Sequence, residues 1–157
     1  MTLKLYNTLS GEKETFKSLE ENKVKMYVCG PTVYDIGHLG HGRSMTAFDL
    51  IRRYFLYKGY EVNFITNYTD IDDKMINRAS DEGITVKQLA DKIIPLYERD
   101  YTKLNVLKPT HIPKATEYVA QMMVMVKKLL KHGYAYELED GVYFDTSKFK
   151  EYGKLSN

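Results

Sequence analysis

The segment "YVCGPTVYDIGHLGHGRS", residues Tyr27 to Ser44, holds the only cysteine of this 157-residue chain and two of its four histidines. Gly37, Gly40 and Gly42 crowd into the same stretch. On its amino-terminal side, "VKMYVCG" is a short apolar run closed by Gly30-Pro31, which reads as a strand ending in a turn. On its carboxyl side, Leu39, Met45, Phe48, Ile51, Tyr54 and Phe55 recur at roughly helical spacing as far as Lys58, and Gly59 supplies a stop. "EVNFIT" then gives a second strand. Strand, helix, strand in that order predicts parallel pairing through a right-handed crossover. The segment therefore sits at the carboxyl end of a strand in an α/β sheet, where open sheets of this kind bind ligands.

Outward from this unit, Leu3 to Asn7 and Lys13 to Lys17 read as a hairpin around Ser10-Gly11. Thr69 or Asp70 is expected to cap a helix running toward Ala79, and Asp70, Asp72 and Asp73 suit the positive end of its dipole. A second helix spans Val86 to Leu104, interrupted or kinked where Pro95 removes a donor. A third begins near Pro113 and ends before Gly133, and its stripe of Val119, Met122, Met123, Val126, Leu129 and Leu130 reads as core packing. "YAYEL" and "VYFDT" around Glu139-Asp140-Gly141 form a hairpin. The shift from alternating α/β to helix plus hairpin places a boundary near Asn105.

Length fits one domain or a piece of a larger one, with enough chain to bury a core. A single cysteine excludes an internal disulfide, no apolar stretch approaches membrane-spanning length, and no charged-then-apolar leader precedes the first strand. A reduced, cytoplasmic setting without a membrane is expected. The net charge of +2 is too small to announce nucleic acid. Arg43, Arg52, Arg53 and Lys58 read as a mostly solvated helix face with room for phosphate contact.

Three chemistries compete for the opening segment. "GHLGHGRS" nearly matches a P-loop, with Gly37, Gly42 and Ser44 in place but Arg43 where a lysine should reach the terminal phosphates. Alternatively, His38 and His41, three positions apart, share one face of a helix's first turn and donate hydrogen bonds to phosphate oxygens as charge builds on them. Gly40 between them leaves room for a nucleotide. The third possibility makes Cys29, His38 and His41 joint ligands of a tetrahedral zinc.

Longer stretches narrow the choice. "MYVCGPTVYD", "HLGHGRS", "DLIRRYFLYKGYEVNFITNYTDIDDKMINRA" and "TEYVAQMMVMVKKLLKHGYAY", taken together and in order, resemble the amino-terminal part of the bacterial cysteinyl-tRNA synthetases, a family of class I aminoacyl-tRNA synthetases. The resemblance runs from Leu3 to Asn157. It implies a Rossmann-like, HUP-type parallel-sheet catalytic domain, with its nucleotide-binding half and hairpin in 1–104 and the start of the connective insertion in 105–157. It also implies an ATP-dependent ligase that forms cysteinyl adenylate and then charges tRNA(Cys), usually as a monomer in the cytoplasm.

By the same resemblance, His38 and His41 are catalytic, and Pro31, Thr32, Gly37, His38, Gly40 and His41 bind ATP, which arrives with Mg2+. Cys29 and Thr69 face the substrate cysteine, and Cys29 is one ligand of a Zn2+ that binds the substrate thiolate. Such a metal would separate cysteine from serine, which shape alone does poorly. Two departures matter. Ile36 and Gly37 stand where the family usually has bulkier residues, so Gly37 is expected to loosen the loop. The resemblance stops at Asn157, before the family's remaining zinc ligands and lysine-rich loop, so the chain is expected to be inactive alone. Two other functions share these residues: a non-catalytic nucleotide- or RNA-binding module, and a related ligase joining cysteine to an amino sugar.

Overall fold

Apolar residues alternate with charged ones in Lys23–Val28, so Val24 and Val28 turn inward while Lys23 and Lys25 stay in solvent. The computed structural model describes residues 3–156. Its strands and helices are β1 (Lys4–Asn7), β2 (Glu12–Thr15), β3 (Lys23–Val28), α1 (Leu39–Tyr57), β4 (Glu61–Thr66), α2 (Asp73–Asp81), α3 (Val86–Lys103), α4 (Val119–Lys131), β5 (Ala135–Leu138) and β6 (Gly141–Phe144). They fall into two compact units, one covering residues 18–117 and the other combining residues 3–17 with 118–156.

In the first unit β3 and β4 pair in parallel, in register from Lys23 opposite Glu61 to Val28 opposite Thr66, as the strand–helix–strand pattern requires. Gly59 adopts φ +86° at the end of α1, a left-handed conformation that suits glycine, and the chain turns there into β4. The opposite edge of β4 carries a third parallel run that sequence reading missed. Ile65 bridges His111 and Tyr68 bridges Lys114, with Thr110 N–H donating to the Phe64 carbonyl at 2.8 Å. Pro113 therefore lies in this edge run, where its carbonyl accepts from Tyr68 N–H at 3.0 Å. It does not open the third helix. That helix is preceded by a 3-10 turn, Ala115–Tyr118, and becomes α-helical only at Val119.

Two further expectations are corrected here. Asp72, and neither Thr69 nor Asp70, caps α2 by accepting from Lys74 N–H at 2.8 Å. Asp70 is instead buried, with its two oxygens taking the N–H and hydroxyl of Thr116 at 2.9 and 2.6 Å. Arg52 and Arg53 are tertiary clamps. Arg52 Nη1 donates to the carbonyls of Leu107 and Lys108, while Arg53 bridges the Asp49 carboxylate and the Asn105 carbonyl. Backbone carbonyls in a bend have no helical partner, and a guanidinium presents several donors at fixed angles to meet them. Helix α3 continues through Pro95 from a Thr85 and Gln88 capping box. Its Leu89, Ile93 and Tyr97 join Val33, Tyr68 and Met75 in the larger core cluster, while Met45, Val28 and Phe64 form the smaller one.

In the second unit, β1 and β2 form a hairpin whose turn closes at Gly11, φ +73°. β5 and β6 form another, with Leu138 opposite Gly141 and Tyr136 stacked on Tyr143 at 5.9 Å. Helix α4 contains no buried residue. The stripe expected to be core is not buried: Val119, Met122 and Met123 keep 40%, 48% and 54% of their full accessibility, and Val126, Leu129 and Leu130 are half-buried. Helical periodicity identifies an apolar face, but no residue of this one is fully covered by the described residues.

Candidate active site at the β3 to α1 turn

Helix α1 begins at Leu39, and His38 is its N-cap in extended conformation. The first N–H groups of a helix have no carbonyl partner within it and take a side-chain acceptor when one is offered. Here both histidines offer one. Gly40 N–H donates to His38 Nδ1 at 3.0 Å, and His38 N–H donates to His41 Nδ1 at 3.1 Å, a reciprocal capping box built from two imidazoles. An Nδ1 that accepts carries no proton, so each neutral ring keeps its hydrogen on Nε2 and has that N–H to donate. The rings lie 4.0 Å apart between centroids. Burial, and then the neighbouring His38, lower the pKa of His41 below the ordinary 6.5. His41 is thus a neutral donor at pH 7.

The glycines of the segment have distinct reasons. A Cβ on Gly40 would come within 2.8 Å of the His38 ring, so this glycine preserves the cap. A Cβ on Gly37 would stand 3.1 Å from Tyr97 Cε1, so Gly37 lets the loop lie against the buried Tyr97 of α3. That correction replaces the loosened loop expected from sequence. Tyr97 also meets His41 edge-to-face at 5.4 Å between centroids. It is a supporting residue without a motif of its own. Because Gly40, Gly42, Arg43 and Ser44 all fall inside α1, the segment is not a P-loop, whose glycines must lie in the loop before the helix.

Beyond the ends of β3 and β4 the two chains stay paired. Thr69 N–H donates to the Pro31 carbonyl at 3.0 Å, Val33 N–H to the Thr69 carbonyl at 3.2 Å, and Thr32 bridges Thr69. Asn67 organises this junction and was not singled out by sequence. Its Oδ1 accepts from Gly30 N–H at 3.0 Å and Tyr27 hydroxyl at 2.8 Å, and its Nδ2 donates to Thr69 Oγ1 at 3.2 Å. A Cβ on Gly30 would overlap the Asn67 carbonyl oxygen at 1.6 Å, so only glycine permits this approach.

The structure brings Cys29, Pro31, Thr32, His41 and Ser44 around one recess of about 230 Å3. Gly37, His38 and His41 border a second, of about 290 Å3, with Tyr97. Gly40 and Thr69 line neither and act through the cap and the Pro31 pairing. Cys29 is exposed, and its Sγ has the Gly30 carbonyl at 3.7 Å. No three His, Cys, Asp or Glu side chains among the described residues are placed to hold a metal. Both histidine Nδ1 atoms are committed to backbone N–H groups. The joint Cys29, His38 and His41 zinc site is therefore overturned, and the donor set of the described residues does not by itself fit zinc.

A parallel strand pair joined by an imidazole-capped helix defines an α/β class, and the solved structures place it more narrowly. The fold is similar to Mycobacterium tuberculosis methionyl-tRNA synthetase in complex with methionyl-adenylate, at TM-score 0.66 and 19% identity over 73% of this chain and 23% of that one. It is thus a class I synthetase fold, as the sequence implied. The chain belongs to the family described as tRNA synthetases class I (C) catalytic domain, whose model matches residues 15–157.

Among its relatives, the cysteine–tRNA ligase of Caldicellulosiruptor saccharolyticus is 56% identical over 99% of this chain and 33% of its own length. Those of Methanococcus aeolicus and Methanococcus maripaludis are 54% and 53% identical over 98% and 99% of this chain. The chain spans about a third of the length of these curated relatives. No helix among the described residues is long and apolar enough to cross a membrane.

Proposed function

We propose that this chain supplies the first half of the adenylate-forming site of a cytoplasmic cysteine–tRNA ligase. In this reading the carboxylate of cysteine attacks the α-phosphorus of ATP, pyrophosphate leaves with its Mg2+, and a ribose hydroxyl of the terminal adenosine of tRNA(Cys) then takes the cysteinyl group as AMP leaves. The nucleotide-binding half occupies 1–104, and the connective insertion follows from 105, its first residues still paired to β4.

The observation that carries the proposal is the imidazole capping box. Two imidazoles at a helix N-terminus, each with Nδ1 committed to the backbone, have Nε2–H donors to offer phosphate oxygens as negative charge grows during displacement. Such donors are already oriented, so little reorganisation accompanies the reaction. Pro31, Thr32 and Gly37 shape the backbone beside them. Cys29 and Thr69 are held on neighbouring chains by the Asn67 junction and would face the amino acid. The described residues place no three-donor set for zinc, of which Cys29 would be one donor, and no step here runs through it.

ATP binding to the 157-residue chain, followed by equilibrium dialysis, tests the reading. His38→Ala and His41→Ala should each weaken binding by roughly threefold to tenfold, the range of one buried hydrogen bond. Unchanged affinity in both variants would overturn it. Cysteine-dependent exchange of pyrophosphate into ATP should not rise above that of a double variant lacking both imidazoles.

A further inference from the structure

Tyr97 reaches the histidine cap from the core of the unit of residues 18–117. Only 2% of it is exposed, and it shares the inner face of α3 with Leu89 and Ile93, packed among Val33, Tyr68 and Met75. Tyr101, one turn further along, flanks it at 5.9 Å between ring centroids. A side chain enclosed in this way is locked in one orientation, which makes it a fixed support for whatever leans on it.

His41 needs such a support for two reasons. The hydrogen bond from His38 N–H to Nδ1 fixes one point of the imidazole and leaves the ring free to swing about that bond. Swinging would carry the Nε2–H away from an oxygen it serves, and an oriented donor is effective only while its direction is held. Tyr97, at 5.4 Å and 84° between ring planes, and His38, at 4.0 Å and 37°, restrain the ring from two neighbours. Water around an imidazole also favours its charged form, and packing against Tyr97 excludes part of that water. Burial is the larger cause of the lowered His41 pKa and the neighbouring His38 the smaller. The other titratable groups bordering its two recesses, besides Tyr97, are Cys29, Asp100, Tyr101 and Lys103.

We propose that Tyr97 is a positioning residue for the ATP-facing imidazole, its ring holding His41 at the angle and in the Nδ1-accepting form that the adenylate-forming site uses. Gly37 completes the arrangement, because the absence of a Cβ lets the loop and the Tyr97 ring meet. The purpose of this support rests on the adenylate-site reading, whereas the hold on the ring is a property of the chain without ATP.

NMR titration of the His41 ring in the ATP-free 157-residue chain, with ATP affinity measured beside it, provides the test. Tyr97→Leu keeps an apolar side chain but no ring. It should raise the His41 midpoint toward the ordinary 6.5 and weaken ATP binding by roughly twofold to tenfold, up to the loss expected of His41→Ala. Tyr97→Phe should leave both values as they are in the unchanged chain, because the contact is made by the ring and not by the hydroxyl. Gly37→Ala, whose new Cβ presses first on Tyr97, should move the same midpoint by a second route, and the methyl signals of Met75 and Leu89 show which variants are folded. An unmoved midpoint in whichever of Tyr97→Leu and Gly37→Ala folds, or equal changes in Tyr97→Leu and Tyr97→Phe, would overturn the proposal. A moved midpoint with unchanged ATP affinity would uphold the hold on the ring and overturn the adenylate-site reading instead.

Discussion

Residues 18–117 and residues 118–156 each carry apolar side chains at helical spacing, yet the first region buries them and the second does not. Helices α1 and α3 place Met45, Leu89, Ile93 and Tyr97 within clusters that include Val28, Phe64 and Tyr68 of the sheet region. Helix α4 shows an equally regular stripe, and every residue of it remains at least partly open. The 3.6-residue period is a property of one helix, whereas burial needs a second layer within contact distance. Met122 and Met123 therefore stay open although their spacing matches that of the buried faces of α1 and α3.

Truncation should show this contrast most strongly. Phe64 is 1% exposed, and Phe64→Ala should cost about 3–5 kcal/mol in urea unfolding of this chain. Met123 of the α4 stripe is 54% exposed, and Met123→Ala should stay within about 0.5 kcal/mol. A cost for Met123→Ala approaching that of Phe64→Ala would break the comparison, because the α4 stripe would then be covered in solution.

A smaller effect separates two aspartates three residues apart. Asp70→Ala strands the Thr116 N–H and hydroxyl and should cost about 1.5–3 kcal/mol, the range for hydrogen bonds to a charged group. Asp73 lies exposed in the first turn of α2, and Asp73→Ala should cost about 0.3–1 kcal/mol at low salt, falling as salt screens the dipole. Equal losses would mean that Asp70 is dispensable to the 110–116 edge.

The smallest expected effect is a pH dependence confined to the cap. The folded pKa of His41 is lowered, so its contribution is fully present above the ordinary value of 6.5 and is lost as pH falls from there through the folded value. Protonation at Nδ1 also removes the acceptor for His38 N–H. Protection of the His38 amide against exchange, taken relative to its intrinsic rate, should therefore fall below pH 6.5, with the His41 ring titrating at a midpoint under that value. A midpoint above it would mean that an anion or carboxylate faces the ring.

Much of the site was legible because it is local. The HxGH spacing, the strand ending at Gly30-Pro31 and the stop at Gly59 all act within a few residues, and the structure keeps each of them. The capping roles of His38 and His41 were also within reach of sequence, since an acceptor side chain three residues before another is the pattern of a capping box. Other features had no local signal. Asn67 holds Gly30 across 37 positions, Thr116 finds Asp70 across 46, and Arg52 reaches Leu107 across 55. The parallel run at 110–114 carries a proline and little alternation, so only pairing with β4 reveals it.

Sequence by itself therefore determined the strand–helix–strand unit, the two imidazoles at its turn and the family, because backbone hydrogen bonding and side-chain periodicity are decided over one or two turns of chain. Tertiary structure alone decided which polar groups met and which apolar face stayed open. It drew Asp70 inward, made clamps of Arg52 and Arg53, set Gly37 on Tyr97 and left the stripe of α4 without a fully buried residue. Each of these outcomes depends on the distance between atoms far apart in sequence, and that distance is fixed only when the layers pack.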